Sequence, residues 1–257
     1  MNEENLQYLQ NNLKYLGFGE SLYPNLNQAI KNQLPEFQLN LIIDMPAPNA
    51  RDLPEKADTM NYELNFSKGK DSDMYFFNNY KAVLHADRLT SQPEQLFYIN
   101  KGKGVTAKES FNLLSGRSVN KDVVLKSGEK ANLWMQLDFS ERKDNNNVVK
   151  TFGENYGFNL ADTVDKFKIS DIEKLGFKDQ LLKSLERGNL HEVSFSKDGK
   201  EMAGFVTANP QFKTLDFFDK ELKPVYSKAL DLSETVSSAK EVVAEENMPA
   251  EKKGRGR

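Results

Sequence analysis

The chain has 257 residues and no Cys, which removes disulfides, thiolate zinc sites and Cys nucleophiles together and fits a reducing compartment. Its 35 Lys and Arg against 38 Asp and Glu leave a net charge of −3, too small to predict attraction to nucleic acid or exclusion from it. There is no apolar run of ~18 residues, and the opening MNEENLQYLQ has neither the basic nor the apolar segment of a leader, so a cytoplasmic protein without membrane contact is expected.

Leu6, Leu9, Leu13 and Leu16 fall at helical spacing, ended by Gly17-Phe18-Gly19, and a second helix is expected from about Ser21 to Gln33. From Glu36 the period changes to two: Phe37, Leu39, Leu41, Ile43 and Met45 mark a strand. The prolines between Pro46 and Lys56 require an exposed loop. Further strands are expected at Met60 to Phe66, Met74 to Ala86 and Leu96 to Asn100. Short connections favour an antiparallel meander covered on one face by the opening helices.

The stretch from Phe111 to Phe139 contains the single Trp and reads as a helix ending near Ser115 and Gly116, followed by a hairpin around Lys126 to Glu129. The order recurs downstream as a Leu-rich helix, Gly188, a strand, the Asp198-Gly199 turn and a second strand. With one residue of slippage Gly116 aligns with Gly188, Gly128 with Gly199 and Trp134 with Phe205. Between the copies, Val148 to Phe152 reads as a strand and Asn155 to Gly157 as a turn. Helices are expected over Leu160 to Lys166 and from Ser170, with a Ser170/Glu173 capping box, to Leu185. Strands follow near Val193 to Lys197, Met202 to Ala208 and Phe212 to Phe218.

These elements give an α+β fold with two small antiparallel sheet units, each covered by helices. The expected divisions are a helix-helix-meander unit over 1–104, a unit with two helix-hairpin repeats over 105–226, and a disordered tail over 227–257.

Catalytic signatures are missing. The two histidines, His85 and His191, lack metal-ligand spacing, and Lys101-Gly-Lys-Gly104 matches neither a phosphate loop nor a dinucleotide fingerprint. No Gly-x-Ser-x-Gly elbow occurs. The expectation is a protein that is not an enzyme and takes no cofactor and no metal. Two features suit binding. Arg117, Asn120, Lys121 and Asp122 form a polar corner between a helix end and a strand, where a scaffold can aim side chains at a protein partner. Lys252, Lys253, Arg255 and Arg257 form a basic terminus able to contact the phosphates of DNA or RNA, blunted by nearby Glu245, Glu246 and Glu251. The aromatics Tyr75, Phe76, Phe77 and Tyr80 suit either stacked bases or a strand's inner face, the second being the commoner use.

Several segments carry a resemblance: MYFFNNY at 74–80, FYINKG at 97–102, the run NLLSGRSVNKD, LWMQLDF, NYGF at 155–158 and ANPQFKT at 208–214. Together they resemble an uncharacterised family, a domain of unknown function, found in Bacteroides-group bacteria alongside conjugative and other mobile elements. The resemblance covers about residues 1–226. It implies a cytosolic accessory protein near transfer or replication functions and carries no activity, cofactor or catalytic residue across. The leading expectation is a non-enzymatic interaction protein; the alternative is an accessory DNA- or RNA-binding protein using its basic end.

Overall fold

A computed structural model of the chain describes residues 2–46, 57–125, 127–226 and 230–233. The first helix, α1 (Glu3–Tyr15), starts at Asn2, whose side chain accepts from the Asn5 amide, and places Glu3 and Glu4 at the positive end of its dipole. Its stripe Leu9, Leu13 and Leu16 is buried. Next come α2 (Tyr23–Lys31) and a four-stranded antiparallel meander, β1 (Glu36–Pro46), β2 (Ala57–Lys68), β3 (Tyr75–His85) and β4 (Glu94–Tyr98). Alternation along β2 and β3, interrupted in β3 by a one-residue register shift between Phe77 and Asn79, buries Met60, Tyr62, Leu64 and Phe66 opposite Leu84, Ala82, Tyr80 and Phe77. Of the aromatic run in β3, Tyr75, Phe77 and Tyr80 are core and Phe76 is exposed.

The α3 helix (Ala107–Leu114) is held by a complete capping box between Thr106 and Glu109. It leads into β5 (Val119–Val124), β6 (Lys130–Lys143) and β7 (Asn146–Phe152), which close a separate three-stranded sheet. A 3-10 turn at Glu154–Tyr156, α4 (Leu160–Val164), a second 3-10 turn at Ser170–Glu173 and α5 (Phe177–Glu186) form a helical layer. The last sheet contains β8 (His191–Lys197), β9 (Lys200–Asn209), β10 (Thr214–Phe218) and β11 (Pro224–Val225).

The chain is α+β, but its described residues form three sheets where the sequence predicts two units. Residues 119–152 complete their own antiparallel meander, and the helical layer over 154–186 separates them from the strands that follow. The sequence also predicts one helix from Ser170 to Leu185. Gly176 at φ 74° breaks it, and no side-chain cap forms at the start of the 3-10 turn. Asp171 instead pairs with Lys174 and accepts the Ser194 amide.

Each sheet begins in the same way. After α2, α3 and α5 one left-handed residue, Gln33, Gly116 or Gly188, reverses the chain, and the strand starts three residues later at Glu36, Val119 or His191. Paired end bonds satisfy the last carbonyls: the Arg117 and Gly116 amides donate to Asn112 and Leu113, and those of Asn189 and Gly188 to Ser184 and Leu185. Leu34 and Gln33 close α2 on Ala29 and Ile30 in the same way. The aligned pair Trp134 and Phe205 occupies matching register, facing Asn120 and Glu192 respectively. The extra residue of the first copy lies in the hairpin loop between Leu125 and Glu129.

Two cores result, and the middle sheet divides its faces between them. Val119, Met135 and Leu137 lie against the first core with α1, α2, α3 and β1–β4. Trp134 and Phe152, cross-strand partners on the other face, belong to the second core with Leu181, Leu185, Phe195, Val206 and Phe217. The first core therefore continues past residue 104 to include α3. The helix ends also lock together: Arg117 Nε donates to the Gly188 carbonyl at 2.8 Å and Asn112 Nδ2 to that of Arg187 at 2.7 Å.

Within the region expected to be a tail, Leu230 bridges to Lys197 and Leu232 to Phe167, while Asp231 accepts from the Ser196 hydroxyl and the Gly199 amide. Residues 234–257 lie outside the described part of the chain.

Candidate functional site: a cleft beneath the middle hairpin

Between the β5–β6 hairpin and the 99–106 connection lies a cleft of about 1340 Å³. One wall is the end of β4 with its connection to α3, the other is β5 with the start of β6, and α1 and α5 close the ends. The first of these walls is fixed from below. Tyr80 Oη donates to the Val105 carbonyl and Tyr62 Oη to that of Ala107, each at 2.7 Å, so two hydroxyls at the centre of the first core hold the connection down. Burial pushes both phenols well above the ordinary tyrosine value, which keeps them neutral donors.

Glu109 ties the walls together. Its carboxylate accepts the Thr106 amide at 2.8 Å and takes an ion pair from Lys121 Nζ at 2.9 Å, linking the connection, α3 and β5. Only 10% of the Glu109 side chain is exposed, so this pair is screened less than a surface pair.

The rim has a different character. Tyr15 is 82% exposed, Tyr98 71% and Val124 62%. The lining cations Lys103, Lys121, Lys130, Lys183 and Arg187 outnumber the carboxylates Glu109, Asp122 and Glu186. Sequence reading did not select Tyr15, Tyr98 or Lys103, although a signal existed. Tyr15 lies off the Leu9/Leu13/Leu16 stripe, and Tyr98 is out of phase with buried Gln95 and Phe97, so both are large apolar residues on solvent faces.

The four residues of the expected polar corner do not converge. The corner is not a loop: β5 begins at Val119, so Asn120 and Asp122 project to one side of the sheet and Lys121 to the other. Asn120 and Asn132 exchange amide hydrogen bonds at 2.6 and 2.8 Å, and Asn132 also donates to Asp122 at 2.8 Å. Lys121 is held by Glu109. Arg117 is structural: besides Gly188 it donates through Nη2 to Asn112 Oδ1 at 2.5 Å, and its guanidinium lies 5.2 Å from the Phe111 ring centre. Burial, followed by the Arg88 charge, lowers its pKa to about 10, which leaves it charged at neutral pH. Asn120, Lys121 and Asp122 line the cleft; Arg117 does not. Lys252, Lys253, Arg255 and Arg257 lie outside the described residues.

The 101–104 turn is a local structure in which Asn100 and Lys103 exchange backbone bonds, with Lys101 and Gly102 at positive φ. His191 packs edge-on against Phe177, and burial lowers its pKa in spite of Asp171 and Glu192. Among the described residues no group of three or more His, Asp or Glu is placed to hold a metal ion. No helix among them is long and apolar enough to cross a membrane. No family model, no curated protein and no solved structure matches the chain.

Proposed function

We propose that the protein is a non-enzymatic binding protein whose cleft beneath the β5–β6 hairpin receives a segment of a polypeptide partner carrying acidic side chains. The observation that carries this reading is the set of exposed apolar side chains, Tyr15, Tyr98 and Val124, around a concavity with one wall fixed by buried bonds and tied to the other by the Glu109–Lys121 pair. Rigid aromatic side chains bury much area at little entropic cost, and binding clefts are built from such anchors with a polar surround. The excess of lysine and arginine in the lining selects for carboxylates. In this reading the protein is a cytoplasmic accessory factor, and the resemblance to proteins that travel with mobile elements supplies its context.

A photo-reactive residue placed at position 98 of the full chain, in the cell that makes the protein, tests this directly. The expected result is a discrete protein adduct that survives nuclease and is absent when the same residue replaces Leu175, which is fully exposed and remote from the cleft. An adduct that disappears with nuclease would assign the cleft to nucleic acid. Equal labelling from both positions, or none, would remove the cleft as a recognition surface.

A further inference from the structure

A second group of cations lies away from the cleft, around the ring of Phe111. Lys108 Nζ is 4.6 Å from the ring centre and the Arg117 guanidinium 5.2 Å, so one buried aromatic carries two positive charges. Among the described residues neither has a carboxylate within ion-pair distance. The nearby carboxylate, Asp58, is already paired with Arg88. Arg117 spends Nε on Gly188 and Nη2 on Asn112, which leaves Nη1 without an acceptor among the described residues, and that atom is not sealed from solvent. Lys108 is exposed and Arg88 half-exposed, so both can turn towards a ligand.

The Arg117 charge acts on Lys108, and the Arg88 charge on Arg117. Burial, followed by the Arg117 charge, lowers the Lys108 amine to about 8, even though the side chain keeps contact with water. Arg88 likewise contributes to the depression at Arg117. Like charges held on one ring repel, and an oxyanion between them would reverse the sign of the interaction.

We propose that Lys108, Arg117 and Arg88 form a binding site for a phosphate monoester. Three cations against one carboxylate leave two positive charges in excess, matching a dianion. The free edge of the guanidinium and the exposed ammonium supply the donors. Phe111 is 4% exposed and covered by both cations, so it orders them and offers no stacking face.

The test is calorimetric titration of the full chain with inorganic phosphate at low ionic strength and neutral pH. Saturable binding is expected, weakened about tenfold or more by Lys108→Gln and by Arg88→Gln, each of which removes one charge-assisted contact. Both side chains are solvent-facing, so the variants should fold; Lys103→Gln, in the cleft, should bind as the unaltered protein does. A nucleoside monophosphate should compete with inorganic phosphate, and an oligonucleotide without terminal phosphates should not. Absence of saturable binding into the millimolar range, or binding that K108Q leaves unchanged, overturns the site. A loss in K103Q in its place moves the anion to the cleft, and competition by the oligonucleotide overturns the assignment to a monoester.

Discussion

Gly188 and Gly116 occupy equivalent places, each the left-handed residue that ends a helix and starts a sheet, at φ 76° and 83°. Their surroundings differ. A Cβ on Gly116 would meet nothing within 4 Å, whereas one on Gly188 would meet the Ser118 carbonyl oxygen at 2.6 Å, Val119 Cγ2 at 2.9 Å and Asn112 Cβ at 3.1 Å. Gly116→Ala therefore measures only the left-handed backbone, about 1–2 kcal/mol. Gly188→Ala adds the cost of forcing α5 away from α3 and β5, an overpacking of about 1–3 kcal/mol. With a shift of about 3 °C per kcal/mol for a chain of this size, G116A should melt about 4 °C below the unaltered protein and G188A about 10 °C below it. Thermal melts followed by circular dichroism give both numbers. Equal losses in the two variants would refute the claim that the helix ends are pressed together at Gly188.

Other outcomes follow from the same contacts. Glu109→Gln removes the ion pair to Lys121 and weakens the capping box, so a loss of about 1–2 kcal/mol is expected in urea unfolding, with little further loss when Lys121→Met is added. Tyr80→Phe should cost about 1–2 kcal/mol, because the Val105 carbonyl loses its hydroxyl donor in a dry setting, and Tyr62→Phe less, because the Ala107 carbonyl keeps the Ser110 hydroxyl at 2.8 Å. The folded-state pKa of both phenols is raised by burial, so their contribution is complete below the ordinary tyrosine value near 10 and is lost as pH rises beyond it. Absorbance titration should show these two tyrosines ionising only with alkaline unfolding; ionisation in the native state near pH 10 would contradict their burial. Leu230→Ala should destabilise the third sheet by about 2 kcal/mol or more, and no effect on the melt would mean that residues 230–233 do not hold β8.

Much of the fold is legible in the sequence because periodicity reports one-sided burial directly. The alternation in 60–66 and the Leu9/Leu13/Leu16 stripe each face a single core, and the structure places them as the pattern requires. The middle sheet is harder to read. Val119, Met135 and Leu137 serve one core while Trp134 and Phe152 serve the other, so β6 is apolar on both faces and its pattern does not say which neighbours it has. Hence the count of sheets is missed. The boundary within 170–185 is missed for another reason: Gly176 at φ 74° and the pull of Asp171 towards Ser194 are tertiary, and a local capping pattern cannot register them.

The site was legible only in part. Asn120, Lys121 and Asp122 do line the cleft, but reading them as a loop hid the alternation that sends Lys121 to Glu109 and its neighbours to Asn132. Arg117 reads in sequence as an outward-facing cation, but its bond to Gly188 depends on a contact across 71 residues of sequence. Tyr98 and Tyr15 become conspicuous only once the buried residues around them are known.

The cleft keeps its shape only if the middle sheet, which forms one of its walls and is shared by the two cores, holds them together. The single tryptophan makes this measurable, since Trp134 reports the second core while Leu137, three residues on, packs in the first. Urea unfolding of Leu137→Ala, followed by Trp fluorescence and by far-ultraviolet circular dichroism, is the most direct test. The two signals should move together to lower denaturant with one midpoint, by about 2–4 kcal/mol. A tryptophan transition left where it stands in the unaltered protein, with only the dichroism shifted, would show two independent halves and contradict the account.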